Sequence, residues 1–320
     1  MHTAPTPVEP GKRAASERIL VVKLGALGDI LLAEGALRDI REQHPNARIS
    51  VLTRRPFAAL LAACPHVDEV IADENAPRWR VDAMWELAHR LRSANFTRVV
   101  DLQDSSRSRF YLRYLLGHRF RPGAGTDRSQ PVLSRHEAQL HAAGIRPSHV
   151  KEPRADWLCA DVSDTLHQAN INRPCIVLLP GSSVRGATKR WPHYPELAQH
   201  LLDAGQLPVT VPGPLEAATF AHIPGICLQH RDGRVLDLRE LAGVLRNAKA
   251  VVGNDSGPTH LAASLGVPGL ALFGGDPAQA ARTCMERRRM RVLVSPGFDG
   301  LDAAKVVSEL FSESNPKTSS

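Results

Sequence analysis

Three times along this chain of 320 residues an apolar run of strand length leads through a turn of small residues toward a segment with apolar positions at helical spacing. That repetition constrains the fold more than any other feature, because strands alternating with helices specify parallel βαβ units. Arg18 to Lys23 reads as a buried strand, Leu24 to Gly28 as a glycine-bearing turn, and Asp29 to His44 as a helix. Arg48 to Thr53 is the next strand, and the order continues through Phe57 to Cys64, Glu69 to Ala72, Met84 to Ala94 and Arg98 to Leu102. Between Asp104 and Ile145 the pattern weakens and arginines gather at positions 107, 109, 113, 119, 121, 128 and 135, which reads as helices joined by loops. Trp157 to Ala169 is expected to be helical, and the polar, proline-bearing run Asn170 to Pro174 marks a domain boundary.

A second unit follows. Cys175 to Leu179, Pro208 to Val211, Ala250 to Gly253 and Gly269 to Phe273 are expected strands. Pro192 to Ala204, Glu216 to His222, Asp237 to Asn247 and Thr259 to Leu265 are expected helices, the last stopped by Gly266 and Pro268. A final helix covers Ala303 to Phe311. The expected organisation is therefore α/β: a disordered polar leader at 1–17, one doubly wound domain at 18–170, another at 171–300, a C-terminal helix within 301–312, and a disordered tail at 313–320. The length agrees, since a single core usually stops growing before 320 residues. With 43% hydrophobic but only 5% aromatic residues, the interiors should be built from Ala, Leu and Val.

A net charge of +7 favours anionic partners, whether phosphates, nucleic acid or an acidic lipid surface, without choosing among them. Nucleic-acid binding would rest on charge alone, as no recognition module is visible, and is not expected. Five scattered cysteines without a C-x-x-C pair imply a reducing compartment. No signal peptide and no membrane-length apolar run are seen, so the cytoplasm is the expected location, with loose attachment at the inner face of the inner membrane through the arginine-rich stretch left open.

Ligands of open parallel sheets bind at the carboxyl ends of strands, and three unusual turns fall there. In Gly25-Ala26-Leu27-Gly28-Asp29 the glycines let a ligand approach and Asp29 could take a proton from a hydroxyl; equally, Asp29 could be a plain helix cap. The run is not the dinucleotide fingerprint G-x-G-x-x-G. Pro180-Gly181-Ser182-Ser183, followed by Thr188-Lys189-Arg190-Trp191-Pro192, could hold a diphosphate on free amides and Lys189, although Ser- and Lys-rich loops are more often only solvated. In Gly253-Asn254-Asp255-Ser256-Gly257-Pro258-Thr259-His260, Ser256 and Gly257 offer groups to an anion and His260 lies on the first helical turn. The plain alternative is that Asp255 and Ser256 cap the helix.

These runs, in this order, resemble glycosyltransferase family nine, the ADP-heptose:lipopolysaccharide heptosyltransferases. The likeness spans Ile19 to Pro277 and includes Lys23 to Ile30, Asp101-Leu102-Gln103, Pro180 to Ser183 with Lys189 to Pro192, Asn254 to Ala263, and Leu272-Phe273-Gly274. The resemblance implies a GT-B fold, two Rossmann-like domains across a cleft with the C-terminal helix packed back on the first. It implies inverting transfer from a nucleotide-sugar, ADP-heptose, to an anionic glycolipid in the inner core of lipopolysaccharide. On this reading Asp29 is the general base and Lys189 the catalytic cation on the donor diphosphate. Ser182, Ser183, Thr188, Glu216, Asp255, Ser256, Gly257 and His260 contact the donor, Glu216 through its ribose. Gly28, Gln103, Arg107, Arg109 and Arg113 contact the acceptor. No D-x-D triplet is present, so no obligatory metal is implied, and magnesium accompanying the diphosphate stays open. After Gly274 the chain continues Gly275-Asp276-Pro277, a departure from the Pro and hydroxyl residues common in the family.

Two alternatives stand beside this reading. The same fold could use another nucleotide-sugar or glycan acceptor, or the chain could bind such ligands without catalysis. A nicotinamide-dependent dehydrogenase is disfavoured by the missing glycine fingerprint.

Overall fold

The computed structural model describes residues 17–117, 125–182, 188–214 and 216–312; the expected leader up to residue 16 and the tail 313–320 lie outside them. In the first unit β1 (Arg18–Val22), α1 (Leu27–Leu32), α2 (Glu34–Gln43), β2 (Arg48–Arg54), α3 (Ala58–Ala62), β3 (Glu69–Asp73), α4 (Val81–Ser93) and β4 (Arg98–Asp101) alternate as expected. The strands form a parallel sheet ordered β3-β2-β1-β4. Then come α5 (Ser106–Phe110), which runs into a π-helical turn at Tyr111–Leu115, α6 (Val132–Ala142) and α7 (Ser163–Gln168). The second unit contains β5 (Ile176–Leu179), α8 (Tyr194–Asp203), β6 (Pro208–Thr210), α9 (Ala217–Phe220), β7 (Ile226–Cys227), α10 (Leu238–Asn247), β8 (Ala250–Asn254), α11 (Gly257–Leu265), β9 (Gly269–Phe273), α12 (Pro277–Arg282), β10 (Met290–Val294) and α13 (Ala303–Phe311). Its sheet is also parallel, ordered β10-β9-β8-β5-β6-β7.

The central strands β1 from Ile19 to Val22 and β5 from Ile176 to Leu179 are continuously apolar because helices cover both faces, as parallel sheets require. On β1, Ile19 and Val21 join the core beneath α1 and α2, while Leu20 and Val22 point the other way against α4 and the Tyr111–Leu115 turn. The cluster containing Ile19 and Val21 continues through Leu31 to Leu261, Ala262 and Val177 of the second unit, so one apolar body spans both halves.

The long expected helix from Asp29 to His44 is divided at Ala33 into α1 and α2. The crossing between the halves also begins earlier than the boundary at 170/171. Buried Asp39 on α2 accepts the backbone N–H groups of Ser148, His149 and Val150 at 3.0, 2.8 and 3.0 Å, fixing the departing chain. By Asp156 the chain already packs on α10: Asp156 pairs with Arg246 at 2.8 Å and Ala160 N–H donates to the Arg239 carbonyl at 3.0 Å. The helix expected over Trp157 to Ala169 is accordingly broken into a 3₁₀ turn at Asp156–Leu158 and α7.

The C-terminal helix corrects another expectation. Instead of packing back on the first unit, α13 lies on α8, with Ala303 and Val306 buried among Trp191, Leu197 and Leu201. Arg291 on β10 bonds to Glu309, and Lys249 lies over the Phe311 ring at 5.6 Å. A stripe at 303, 306, 307 and 310 matches an apolar surface already present in the second unit, and that surface takes the helix.

Candidate active site

The carboxyl ends of β1, β5 and β8 open onto one cleft of about 1260 Å³ that both halves line. Each neighbouring pair β1/β4 and β5/β8 is where its sheet's strand order reverses, the position at which parallel sheets form crevices. The first half contributes the turn Ala26 to Asp29, Phe57, Arg128, Gln130 and Arg135. The second contributes the turns at Gly181-Ser182, Pro212 to Pro214 and Asp255 to Pro258, together with Lys189, Arg190, Glu216 and His260.

Asp29 sits on the first turn of α1, whose N-cap is Ala26. It is therefore not the helix cap, and among the described residues no side chain pairs with its carboxylate, which lines the cleft half-buried. Below it, buried Lys23 donates to the Leu102 carbonyl at 3.2 Å and faces His136 Nε2 at 2.9 Å. Burial lowers the Lys23 pKa to about 8, and the negative charge of Asp29 opposes that fall. Gln103 Oε1 accepts the Leu24 N–H at 2.9 Å, anchoring the turn.

Asn254 locks the second-half turns together. Its amide donates to the Pro180 carbonyl at 2.7 Å, and its carbonyl oxygen accepts from Trp191 N–H at 3.1 Å and the Tyr194 hydroxyl at 3.2 Å. This brings the segment carrying Lys189 alongside the start of α11, where Lys189 Nζ meets Asp255 Oδ2 at 2.6 Å. Ser256 is the N-cap of α11 but makes no capping bond with its side chain; its hydroxyl lies 3.2 Å from that of Thr259. An uncapped helix N-terminus beside a lysine favours an anion.

His260, one turn in, is buried between Arg287 and the cleft. Burial, the Arg287 guanidinium and the Lys189 cation lower its pKa to about 3, so the ring is neutral near pH 7. Arg287 donates to the His260 carbonyl at 2.8 Å and its other terminal nitrogen faces His260 Nδ1 at 3.5 Å. A guanidinium only donates, so Nδ1 presents its lone pair and Nε2 carries the proton. Across the cleft, Glu216 accepts the Gly213 N–H at 3.0 Å and pairs with Arg190 at 3.2 Å. A Cβ on Gly181 or Gly213 would come within 2.5 or 2.8 Å of that carboxylate, so the two glycines let Glu216 lie close against both turns.

The cleft thus gathers Gly28, Asp29, Ser182, Lys189, Glu216, Asp255, Ser256, Gly257 and His260. Thr188 lies beside Lys189 but does not line it, Gln103 acts behind the turn, and Ser183 falls outside the described residues. Arg107, Arg109 and Arg113 are not brought to the cleft. Arg107 is tied to buried Asp73 at 3.1 Å and Arg109 to Asp104 at 2.6 Å, while Arg113 lies over the Tyr114 ring. Two buried or half-buried carboxylates consume the cations that sequence alone leaves free. Two other arginines of that stretch line the cleft: Arg128 donates to the Asp104 carbonyl at 2.9 Å, and the Arg135 Nε is buried without a partner among the described residues. Arg282 and Gln279 on α12 also line the cleft. Their helix is capped by Asp276, which accepts the Gln279 N–H at 2.7 Å, so the departing turn Gly275-Asp276-Pro277 is a helix start facing the site. Only the arginine excess hinted at Arg128 and Arg135, and the sequence singled out the Gly275-Asp276-Pro277 turn but neither Gln279 nor Arg282.

Known proteins agree with this architecture. The sequence profile of Glycosyltransferase family 9 (heptosyltransferase) matches residues 152–295. Lipopolysaccharide heptosyltransferase 1 of Pseudomonas aeruginosa is 30% identical over 288 residues, covering 80% of this chain and 78% of that protein. Among solved structures, E. coli ADP-heptose lps heptosyltransferase II superposes with a TM-score of 0.68 at 24% identity, covering 92% of this chain and 97% of the other. E. coli heptosyltransferase WaaC with ADP also reaches 0.68, at 20% identity over 92% and 98% of the two chains. The two parallel sheets and their shared cleft form the GT-B fold of these structures. By its sequence relationship over most of its length, the chain belongs to glycosyltransferase family 9, the heptosyltransferases, and is a glycosyltransferase.

Proposed function

We propose that the chain moves a heptose from ADP-heptose to a hydroxyl of the inner-core region of lipopolysaccharide, inverting the anomeric carbon in one displacement. The carrying observation is that an unpaired carboxylate, Asp29, shares a cleft with an uncapped helix N-terminus at Ser256-Gly257 and with Lys189. A base on one side and anion-stabilising groups on the other are what such a displacement needs. Asp29 takes the proton as the acceptor oxygen attacks. The sugar–phosphate bond breaks, and the electron pair goes to the diphosphate, where the α11 amides and Lys189 stabilise the growing charge more than in the ground state. His260 Nε2–H serves as a neutral donor to a phosphate or sugar oxygen, and Glu216 receives the donor ribose. Arg128 and Arg135 face an anionic group of the glycolipid acceptor, and the reaction takes place at the cytoplasmic side. No protein-held metal enters this scheme; magnesium bound to the diphosphate is tested by chelation.

The likeness to relatives named for heptose transfer to lipopolysaccharide, one solved with ADP, supports this donor and acceptor. Purified enzyme assayed with a panel of nucleotide-sugars and isolated core oligosaccharide, read by nucleoside diphosphate release and by the anomeric configuration of the product, tests it. Turnover with ADP-heptose and inversion are expected. Preference for another donor removes the substrate assignment, and tight donor binding with no turnover on any acceptor removes catalysis.

A further inference from the structure

Four of the five large apolar side chains exposed among the described residues share one face of the first unit: Trp79, Val81, Trp85 and Tyr114 are 76, 75, 69 and 56% exposed. Singly exposed apolar residues need no explanation, whereas a contiguous group does. This group is contiguous. Val81, Trp85 and His89 follow one side of α4 at four-residue spacing, with the Trp85 and His89 rings stacked at 5.6 Å. Arg92 of α4 donates to the Tyr114 carbonyl at 3.0 Å, and Arg78, next to Trp79, lies over Phe110, whose ring meets that of Tyr114 at 5.1 Å.

Cations edge the patch. Arg78 bonds to the Ser106 hydroxyl, Arg90 to the Ala72 carbonyl, Arg92 to main-chain carbonyls, and Arg113 covers the Tyr114 ring. Among the described residues none of these four pairs with a carboxylate, so their charge is available. Arg80 is offset by Asp82, and Glu86 is the other acid on this side of α4. Trp and Tyr are amphipathic rings suited to the headgroup boundary of a bilayer, and arginine around them is complementary to anionic lipid. The helices beneath cover the sheet face opposite the one that meets the second half, so a bilayer seated here leaves the cleft between the halves unobstructed.

We propose that this face seats the enzyme on an anionic lipid leaflet, with Trp79 and Trp85 entering the headgroup region and Arg78 and Arg113 facing lipid phosphates. From the arginine-rich stretch expected to hold a leaflet the surface takes Arg113 with Phe110 and Tyr114 and adds Trp79 and α4, whereas Arg107 and Arg109 are committed to Asp73 and Asp104. The proposal does not depend on the donor assigned above.

The test uses the full chain with vesicles of phosphatidylcholine alone or mixed with phosphatidylglycerol, read by co-sedimentation and tryptophan emission. Binding and a blue shift are expected only with the anionic vesicles, weakening as salt is raised. Trp79→Ser and Trp85→Ser should each lower partitioning about tenfold, and Arg78→Gln with Arg113→Gln should remove the preference for anionic lipid. Turnover on a water-soluble core oligosaccharide should be unchanged in all of them, showing that the variants fold. Equal binding to neutral vesicles, or binding indifferent to the tryptophan changes, overturns the proposal. So does self-association in solution that the tryptophan variants abolish, since the patch would then be a protein contact.

Discussion

Gly28 meets His260 across the junction of the two halves so closely that a Cβ on Gly28 would lie 2.5 Å from the imidazole Cδ2. A reciprocal absence operates alongside: a Cβ on Gly257 would come within 2.7 Å of Leu27. Two missing side chains therefore let the first turns of α1 and α11 pack directly, which sets Asp29 and the Ser256-Gly257 amides at one cleft. Because His260 is wedged against Arg287, the ring has little room to yield. Overpacking of this kind costs about 1–3 kcal/mol. Gly28→Ala should lower kcat/KM by roughly tenfold or more with a fall in Tm, and wild-type turnover would show that the contact does not matter to catalysis.

If Asp29 is the base, Asp29→Asn should lower kcat by about 10²- to 10⁴-fold. Donor binding measured by calorimetry should change little, because the amide keeps the size of the side chain and no partner is lost. An Asn variant with undiminished kcat would eliminate Asp29 as proton acceptor.

Lys189 and Asp255 form a pair in which the lysine is 44% exposed and the carboxylate 9% exposed. The exposed partner is the one able to turn to a diphosphate. Lys189→Ala should reduce kcat by roughly 10²-fold and raise the donor KM. Asp255→Asn should act through placement of the same cation, so the double variant should be little worse than Lys189→Ala alone. Additive losses would mean that the two side chains serve separate roles.

The arginines divide into cleft-lining and bound sets, and kinetics should separate them. Arg128→Gln and Arg135→Gln should raise the acceptor KM while leaving the donor KM near wild type, whereas Arg113→Gln should alter neither. Arg107→Gln should instead lower Tm, because it abandons buried Asp73 and the Ala76 carbonyl. A soluble acceptor whose KM follows Arg113 rather than Arg128 would reverse this division.

The alternation of strands and the turns after β1, β5 and β8 were legible because each is a local pattern, period and glycine together. Pairing was not. Nothing near Arg107 announces Asp73, which precedes it by 34 positions and reaches it only through the fold. The division of the first helix at Ala33 was hidden because the apolar spacing runs through it, and the partner expected for α13 came from the family resemblance, since its own stripe fits any apolar surface. The two-residue β7 and the six-residue α12 carry too few residues to stand out by periodicity, and the apolar run of β10 is broken by Arg291 and follows directly on Arg287 to Arg289. The choice between cap and functional residue at Asp29 and Ser256 was equally closed to sequence, since it turns on cap identity and hydrogen bonds that only coordinates supply.

Two buried histidines make stability depend on acidity in a range where carboxylates contribute little. His260 has its pKa lowered to about 3 by burial and by Arg287 and Lys189, and His136 is lowered well below its ordinary value by burial, Lys23 and Arg135. The unfolded chain takes up these protons near pH 6.5 while the folded chain refuses them, so the unfolded state binds more protons below that point. Stability is thus fully present above about pH 6.5 and falls as pH drops toward the folded values, by at most about 1.4 kcal/mol per unit for each histidine. Urea unfolding at about pH 7.5 and about pH 5 should differ by roughly 2 kcal/mol through His260, with His136 adding in the same direction. His260→Gln should flatten the dependence by one ring's share even where it lowers stability at neutral pH, because glutamine has nothing to titrate. A slope identical in wild type and variant would mean that folded His260 takes up its proton as readily as the unfolded chain does, and the lowering of its pKa by burial, Arg287 and Lys189 would have to be abandoned.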